Sequence, residues 1–252
     1  MKLLKIKDDR LGRYVDNATS VYAHVVAGHI FTKSEQPLIE KTLCDNILTA
    51  GEWKGEIEGA MACYSIARKR LEIPSVEAIK RNPFIYAPNP RTLRTMLKFN
   101  TFHEIGHALQ GKNGRYLKTP IYMDLNKSTQ DCVEVLTESA ALAVGLKTHK
   151  GAFLDFDDGN LTNNTPMPVL KKAFARTLNV HLPDGAFFGP NHAPDFVDTI
   201  SFLKTENLSF ADAFRETTVL GKNKIDMKKY PVKMANVTLK DCHEFIEQIN
   251  DL

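Results

Sequence analysis

Residues 129–146 read TQDCVEVLTESAALAVGL, and past Glu138 they carry no charge as far as Leu146. Helix formers dominate the stretch, and its apolar residues fall on more than one helical face. A helix of that kind cannot rest one side in water; it has to be surrounded by other elements. Ser128, with Asp131 three residues on, makes a near capping box that opens it. The rest of the fold must therefore be built around this helix. It also carries Glu134 and Glu138, one turn apart on one face. A carboxylate on a buried helix is costly unless it is paired or bound to a metal, so two of them call for a partner.

The rest of the chain has the material to enclose such a helix. It has 252 residues, 43% of them apolar and 25% charged, which suits one large domain or two small lobes sharing a core. Helices are predicted at about 35–50, 54–70, 90–110, 167–179, 195–205, 209–220 and 239–250. The helix at 90–110 is marked by Asn89-Pro90 at its start and Gly111 at its end. Few segments read as strands: residues 84–87 between prolines, and a short one around 121–123. Residues 155–166 and 183–195 are rich in Asp, Gly, Asn and Pro and read as loops. The predicted class is α+β, predominantly helical.

The helix at 90–110 carries the chemistry. Residues 103–107 are His103-Glu104-Ile105-Gly106-His107. Positions i and i+4 share a helix face, about 5–6 Å apart at Cβ. Two imidazole nitrogens can then reach one zinc ion at ~2.0–2.1 Å. Glu104, beside them, is placed to act as the general base that takes a proton from the attacking water. Ile105, Gly106 and Ala108 are uncharged, which lets the site lie in a dry cleft. A catalytic zinc site needs a third protein ligand and one open position. The helix at 129–146 offers Glu134 and Glu138 for that role.

HEIGHALQG followed about thirty residues later by TESAA resembles the zincin metallopeptidases, in particular the gluzincins. The resemblance covers residues 90–146. It implies a single two-lobed catalytic domain over 1–252, with an N-terminal lobe of about 1–115 that includes the active-site helix and a C-terminal lobe of about 116–252. It also implies a few-stranded sheet and one Zn2+ per chain. In that group a second helix supplies a glutamate in the pattern E-x-x-A or E-x-x-S. Glu138-Ser139-Ala140-Ala141 fits the pattern, so the expected metal ligands are His103, His107 and Glu138. Glu134 stays open as the third ligand, and the unused carboxylate would orient a ligand histidine. The resemblance further implies a donor for the developing oxyanion. His192, in the loop Gly189-Pro190-Asn191-His192, is the first candidate, ahead of His149, His181, Tyr122 and Tyr230. The extended metzincin motif is absent. Glu58–Ser65 faintly resembles the EGCxS segment of peptide deformylases, which keeps Cys63 as another possible ligand and deformylase-like hydrolysis of non-peptide amides as another possible activity.

Net charge is +3, too weak to make nucleic acid or an anionic membrane the main partner. No apolar run approaches the ~18 residues of a membrane span. The N-terminal MKLLKIKDDR has no signal-peptide core, and Cys44, Cys63, Cys132 and Cys242 read as reduced thiols. His24 and His29, in an apolar stretch, read as structural. The expected function is a zinc metallopeptidase acting on protein or peptide substrates. It would be cytoplasmic, or an effector or toxin exported into a host by a route that needs no signal peptide. The competing reading is a non-catalytic interaction protein whose HExxH is coincidental or structural.

Overall fold

A computed structural model describes residues 10–53, 62–74, 90–110, 127–185, 187–189, 193–221 and 235–252. Within them, α1 (Arg10–His29) and α2 (Gln36–Asn46) lead into strands β1 (Thr49–Glu52), β2 (Cys63–Ser65) and β3 (Arg70–Ile73). The two long helices α3 (Pro90–Gln110) and α4 (Lys127–Thr148) follow. Strand β4 (Phe153–Phe156), helix α5 (Met167–Thr177) and strands β5 (Leu178–His181) and β6 (Phe187–Phe188) come next. Helices α6 (Phe196–Glu206), α7 (Phe210–Thr217) and α8 (Leu239–Asp251) close the described chain. The fold is α+β and mostly helical.

Helix α4 lies at the centre, as its sequence requires. Every residue from 135 to 146 is buried, and α1, α3, α6, α7 and α8 all pack against it. One hydrophobic cluster runs without a break from Val15 on α1 to Ile249 on α8. Helix α1 joins it through Val15, Ala18, Tyr22 and Val26, which recur at helical spacing and form one buried stripe.

Helices α3 and α4 run antiparallel, and a glycine on each lets them come close. A Cβ on Gly106 of α3 would stand 2.7 Å from Thr137 Cγ2 and 3.1 Å from the Tyr22 hydroxyl. A Cβ on Gly145 of α4 would stand 2.2 Å from the Phe99 ring. The last turn of α3 is held from another side. Asn46, the final residue of α2, donates from its side-chain amide to the Ala108 carbonyl at 2.8 Å. That carbonyl is one of the four that a helix end leaves without an internal partner.

The two small sheets sit at the margins. In the first, β1 pairs in parallel with β3 and β2 antiparallel to it, in the order β1-β3-β2. Strands β2 and β3 lie against α3. In the second, β4, β5 and β6 are antiparallel neighbours, with α5 and α8 covering the face that carries Leu154, Phe156, Leu178 and Val180. No helix among the described residues is long and apolar enough to cross a membrane.

The helices at 90–110, 167–179, 195–205, 209–220 and 239–250 form within a few residues of their expected ends. The segment 35–50 is shorter as a helix, stops at Asn46 and turns into β1. Where a helix is expected over 54–70, the described part is a hairpin: Cys63–Ser65 pairs with Arg70–Ile73 around the turn at 66–69. Lys69 takes a left-handed conformation there, φ 48°. Residues 153–156 and 178–181 are strands where a loop and a helix tail are expected. The expected strands at 84–87 and 121–123 lie outside the described residues.

Candidate metal centre

His103 and His107 stand one turn apart on α3, and Glu134 faces them from α4. His103 Nε2 lies 3.0 Å from His107 Nε2. The Glu134 Oε2 atom lies 3.2 Å from the first and 3.1 Å from the second. These three residues are the only group of three or more His, Cys, Asp or Glu among the described residues whose donor atoms converge. Three ligand atoms at ~2.0–2.1 Å from a tetrahedral ion are ~3.3 Å apart. The observed triangle is within a few tenths of an ångström of that, so the donor set fits one small cation. Two imidazoles and a carboxylate oxygen suit a divalent first-row metal ion.

The opposite ring edges are held as well. His103 Nδ1 is 2.9 Å from Glu138 Oε2. His107 Nδ1 is 2.9 Å from Gln110 Oε1. The Gln110 amide nitrogen donates to Thr137 Oγ1 at 2.8 Å and to Thr217 Oγ1 at 2.9 Å. The two imidazoles meet nearly edge to face, their centroids 4.7 Å apart. Each imidazole thus has a partner beside Nδ1, a hydrogen bond for His107 and an ion contact for His103, and presents Nε2 to the same point. Such partners fix ring orientation and raise ligand basicity.

The cluster is strongly coupled in charge. Burial acts to lower the His103 pKa, but hydrogen bonds to Glu134 and Glu138 and the charges of Glu138 and Glu104 outweigh it. The result stands well above the ordinary imidazole value. His107 is raised too, with Glu134 overcoming burial. Burial would raise the Glu134 carboxyl, yet the two imidazoles hold it well below the ordinary value. Glu104 is half-buried on the same helix, and its charge acts on both imidazoles.

Of the two glutamates of α4, Glu134 is the one that enters the convergent group. Glu134 brings its oxygen to the convergence point, while Glu138 sits behind His103 on the far ring nitrogen. The pattern E-x-x-A alone does not decide which carboxylate reaches across. Cys63 lies on β2 rather than on a helix and is not among the convergent donors. Its thiol is pushed up to about 11 by burial and by the charges of Glu104 and Glu72.

Of the expected oxyanion donors, His192, Tyr122 and Tyr230 lie outside the described residues. His149 sits at the other end of the α3–α4 contact, 3.3 Å from Thr95 Oγ1. His181 pairs with Asp155 at 3.2 Å and stacks on Phe153 in the second sheet. Neither approaches the histidine pair. His24 and His29 are on the exposed face of α1, not in the core. Sequence reasoning passed over Gln110, Thr137 and Thr217. A glutamine one turn after the second histidine, at the end of an otherwise apolar turn, was the available signal, because a buried amide must find partners.

Compared with known protein families, with curated proteins and with solved structures, the chain gives no match.

Proposed function

We propose that the protein is a zinc-dependent metallopeptidase of the gluzincin kind, with His103, His107 and Glu134 holding the ion. One observation carries the reading: three donors converge and no fourth His, Cys, Asp or Glu joins them among the described residues. Structural zinc sites are closed by four protein ligands, whereas catalytic sites keep a position open. A bound zinc ion would polarise the scissile carbonyl and make water a nucleophile at neutral pH. Glu104, next to His103 on the same helix, takes the proton from the attacking water and returns it to the leaving amine. Glu138 and Gln110 keep the two imidazoles aimed. The substrate class is a peptide or protein, in keeping with the HExxH pattern.

Two measurements test this together. Elemental analysis of the protein purified without added metal is expected to find about one zinc per chain. Glu104→Gln is nearly isosteric and should retain the zinc and the fold. It lacks the carboxylate base, so cleavage of a peptide library should fall ~10²–10⁴-fold. Zinc well below one equivalent that does not rise on dialysis against zinc would sink the metal reading. A zinc-loaded wild type that cuts no peptide would leave a metal site without the peptidase. A mutant as fast as wild type would remove Glu104 as the base.

A further inference from the structure

Gln110, Thr137 and Thr217 are all buried, so no solvent completes their hydrogen bonds. Their protons can therefore be counted. The Thr137 hydroxyl donates to the Val133 carbonyl at 2.8 Å, and the Thr217 hydroxyl to the Phe214 carbonyl at 2.7 Å. Each hydroxyl has one proton. Toward Gln110 both hydroxyls can then only accept, and the group that faces them must be the amide NH2. The Gln110 carbonyl consequently faces His107, and an acceptor there requires the proton on His107 Nδ1. With the amide turned over, one N–H would face His107 and the other would be buried with no acceptor among the described residues. The two hydroxyls would also have to leave their carbonyls. The observed arrangement satisfies the amide and both hydroxyls, and the flipped one does not.

We infer that Gln110 is a positioning residue that fixes the Nδ1-protonated form of His107, so that Nε2 offers its lone pair toward His103 and Glu134. The device reaches beyond the two central helices. Thr217 belongs to α7, and that helix is anchored in turn by Arg215, which makes a double ion pair with Glu35, one of its bonds at 2.9 Å. The aim of a ligand on α3 thus depends on where α7 sits. This inference rests on the metal-site reading for its use, but the ring proton can be read without metal.

The test is 15N NMR of the histidine rings in metal-free protein at alkaline pH, paired with zinc affinity by competition against a chromophoric chelator. Wild type is expected to show His107 protonated at Nδ1, the form less favoured by free imidazole. Gln110→Leu is expected to lose that preference and to weaken zinc binding ~10–100-fold, the usual effect of removing a partner behind a ligand. Thr217→Val takes one acceptor from the amide. It should weaken zinc binding in wild type and add nothing in the Gln110→Leu background, and it serves alone if Gln110→Leu does not fold. A wild-type His107 protonated at Nε2, or a tautomer and affinity unchanged in both variants, overturns the inference. An Nδ1-protonated ring in a protein that binds no zinc would leave the inference standing and remove the metal reading. Zinc bound through Nδ1 would do the reverse.

Discussion

Glu134 and Glu138 are one turn apart on the same helix face, chemically identical and four residues distinct, yet the structure gives them different atoms to touch. Glu134 Oε2 stands within 3.2 Å of both Nε2 atoms, whereas Glu138 reaches His103 from behind, at Nδ1, 2.9 Å away. The consequence for substitution is graded. Glu134→Ala removes one of three donors and is expected to abolish stoichiometric zinc. Glu138→Ala leaves the donors in place but frees the His103 ring, an effect of ~10–100-fold in affinity. Chelator competition on the two variants reads the order directly. The opposite order would return the ligand role to Glu138, and two negligible effects would remove the site. The sequence makes both carboxylates visible, because charge on a buried helix stands out. It leaves their order open, because a rotation of α4 by a fraction of a turn decides which one points across.

At the level of elements, the site depends on how closely α3 and α4 approach, and the two glycines separate closeness from location. Gly106 lies between His103 and His107, with Thr137 Cγ2 2.7 Å from where a Cβ would stand. Gly145 lies more than two turns along the contact, with the Phe99 ring at 2.2 Å and Phe99 itself buried. Either change to alanine overpacks the interface, typically at about 1–3 kcal/mol. Gly106→Ala is expected to lower both the melting temperature and zinc affinity, since Thr137 also holds Gln110. Gly145→Ala should lower the melting temperature and leave affinity within a few-fold of wild type. Equal loss of affinity in both would show that the metal reports global stability rather than local helix spacing. These two helices were legible because caps, breakers and an uncharged run mark them strongly. The strands were not. Cys63–Ser65 and Leu178–His181 are three and four residues long, too short to show a period of two. Their pairing is set by partners distant in sequence, which leave no local trace.

For the whole molecule, the charge cluster and the proposed metal site together predict opposite pH responses with and without zinc. In the metal-free protein, His103 and His107 stand above the ordinary imidazole value of about 6.5, mainly because the glutamates around them outweigh burial. Their contribution to stability is therefore complete below about pH 6.5 and disappears as pH climbs through their folded values. Glu134 is held low by the two imidazoles against the opposing effect of burial. Its contribution is complete above about pH 4.5 and is lost as pH falls. Together they favour the metal-free fold most between about pH 4.5 and 6.5, and the advantage fades toward pH 9. Zinc needs the same imidazoles unprotonated, so its binding releases protons and strengthens as pH rises over that interval. At a free zinc level 100-fold above Kd the fold gains ~2.7 kcal/mol. For a chain of this size that is a rise in Tm of roughly 5–10 °C, at ~2–4 °C per kcal/mol. The measurement is a pair of thermal melts, with zinc and with chelator, from pH 6 to pH 9. Groups remote from the site titrate alike in both and cancel in the difference. The gap in Tm is expected to be small at pH 6 and to widen steadily toward pH 9, with the metal-free curve falling. Parallel curves, or a gap that narrows as pH rises, would mean that the protons on His103 and His107 do not compete with the ion, and these histidines would then not be its ligands.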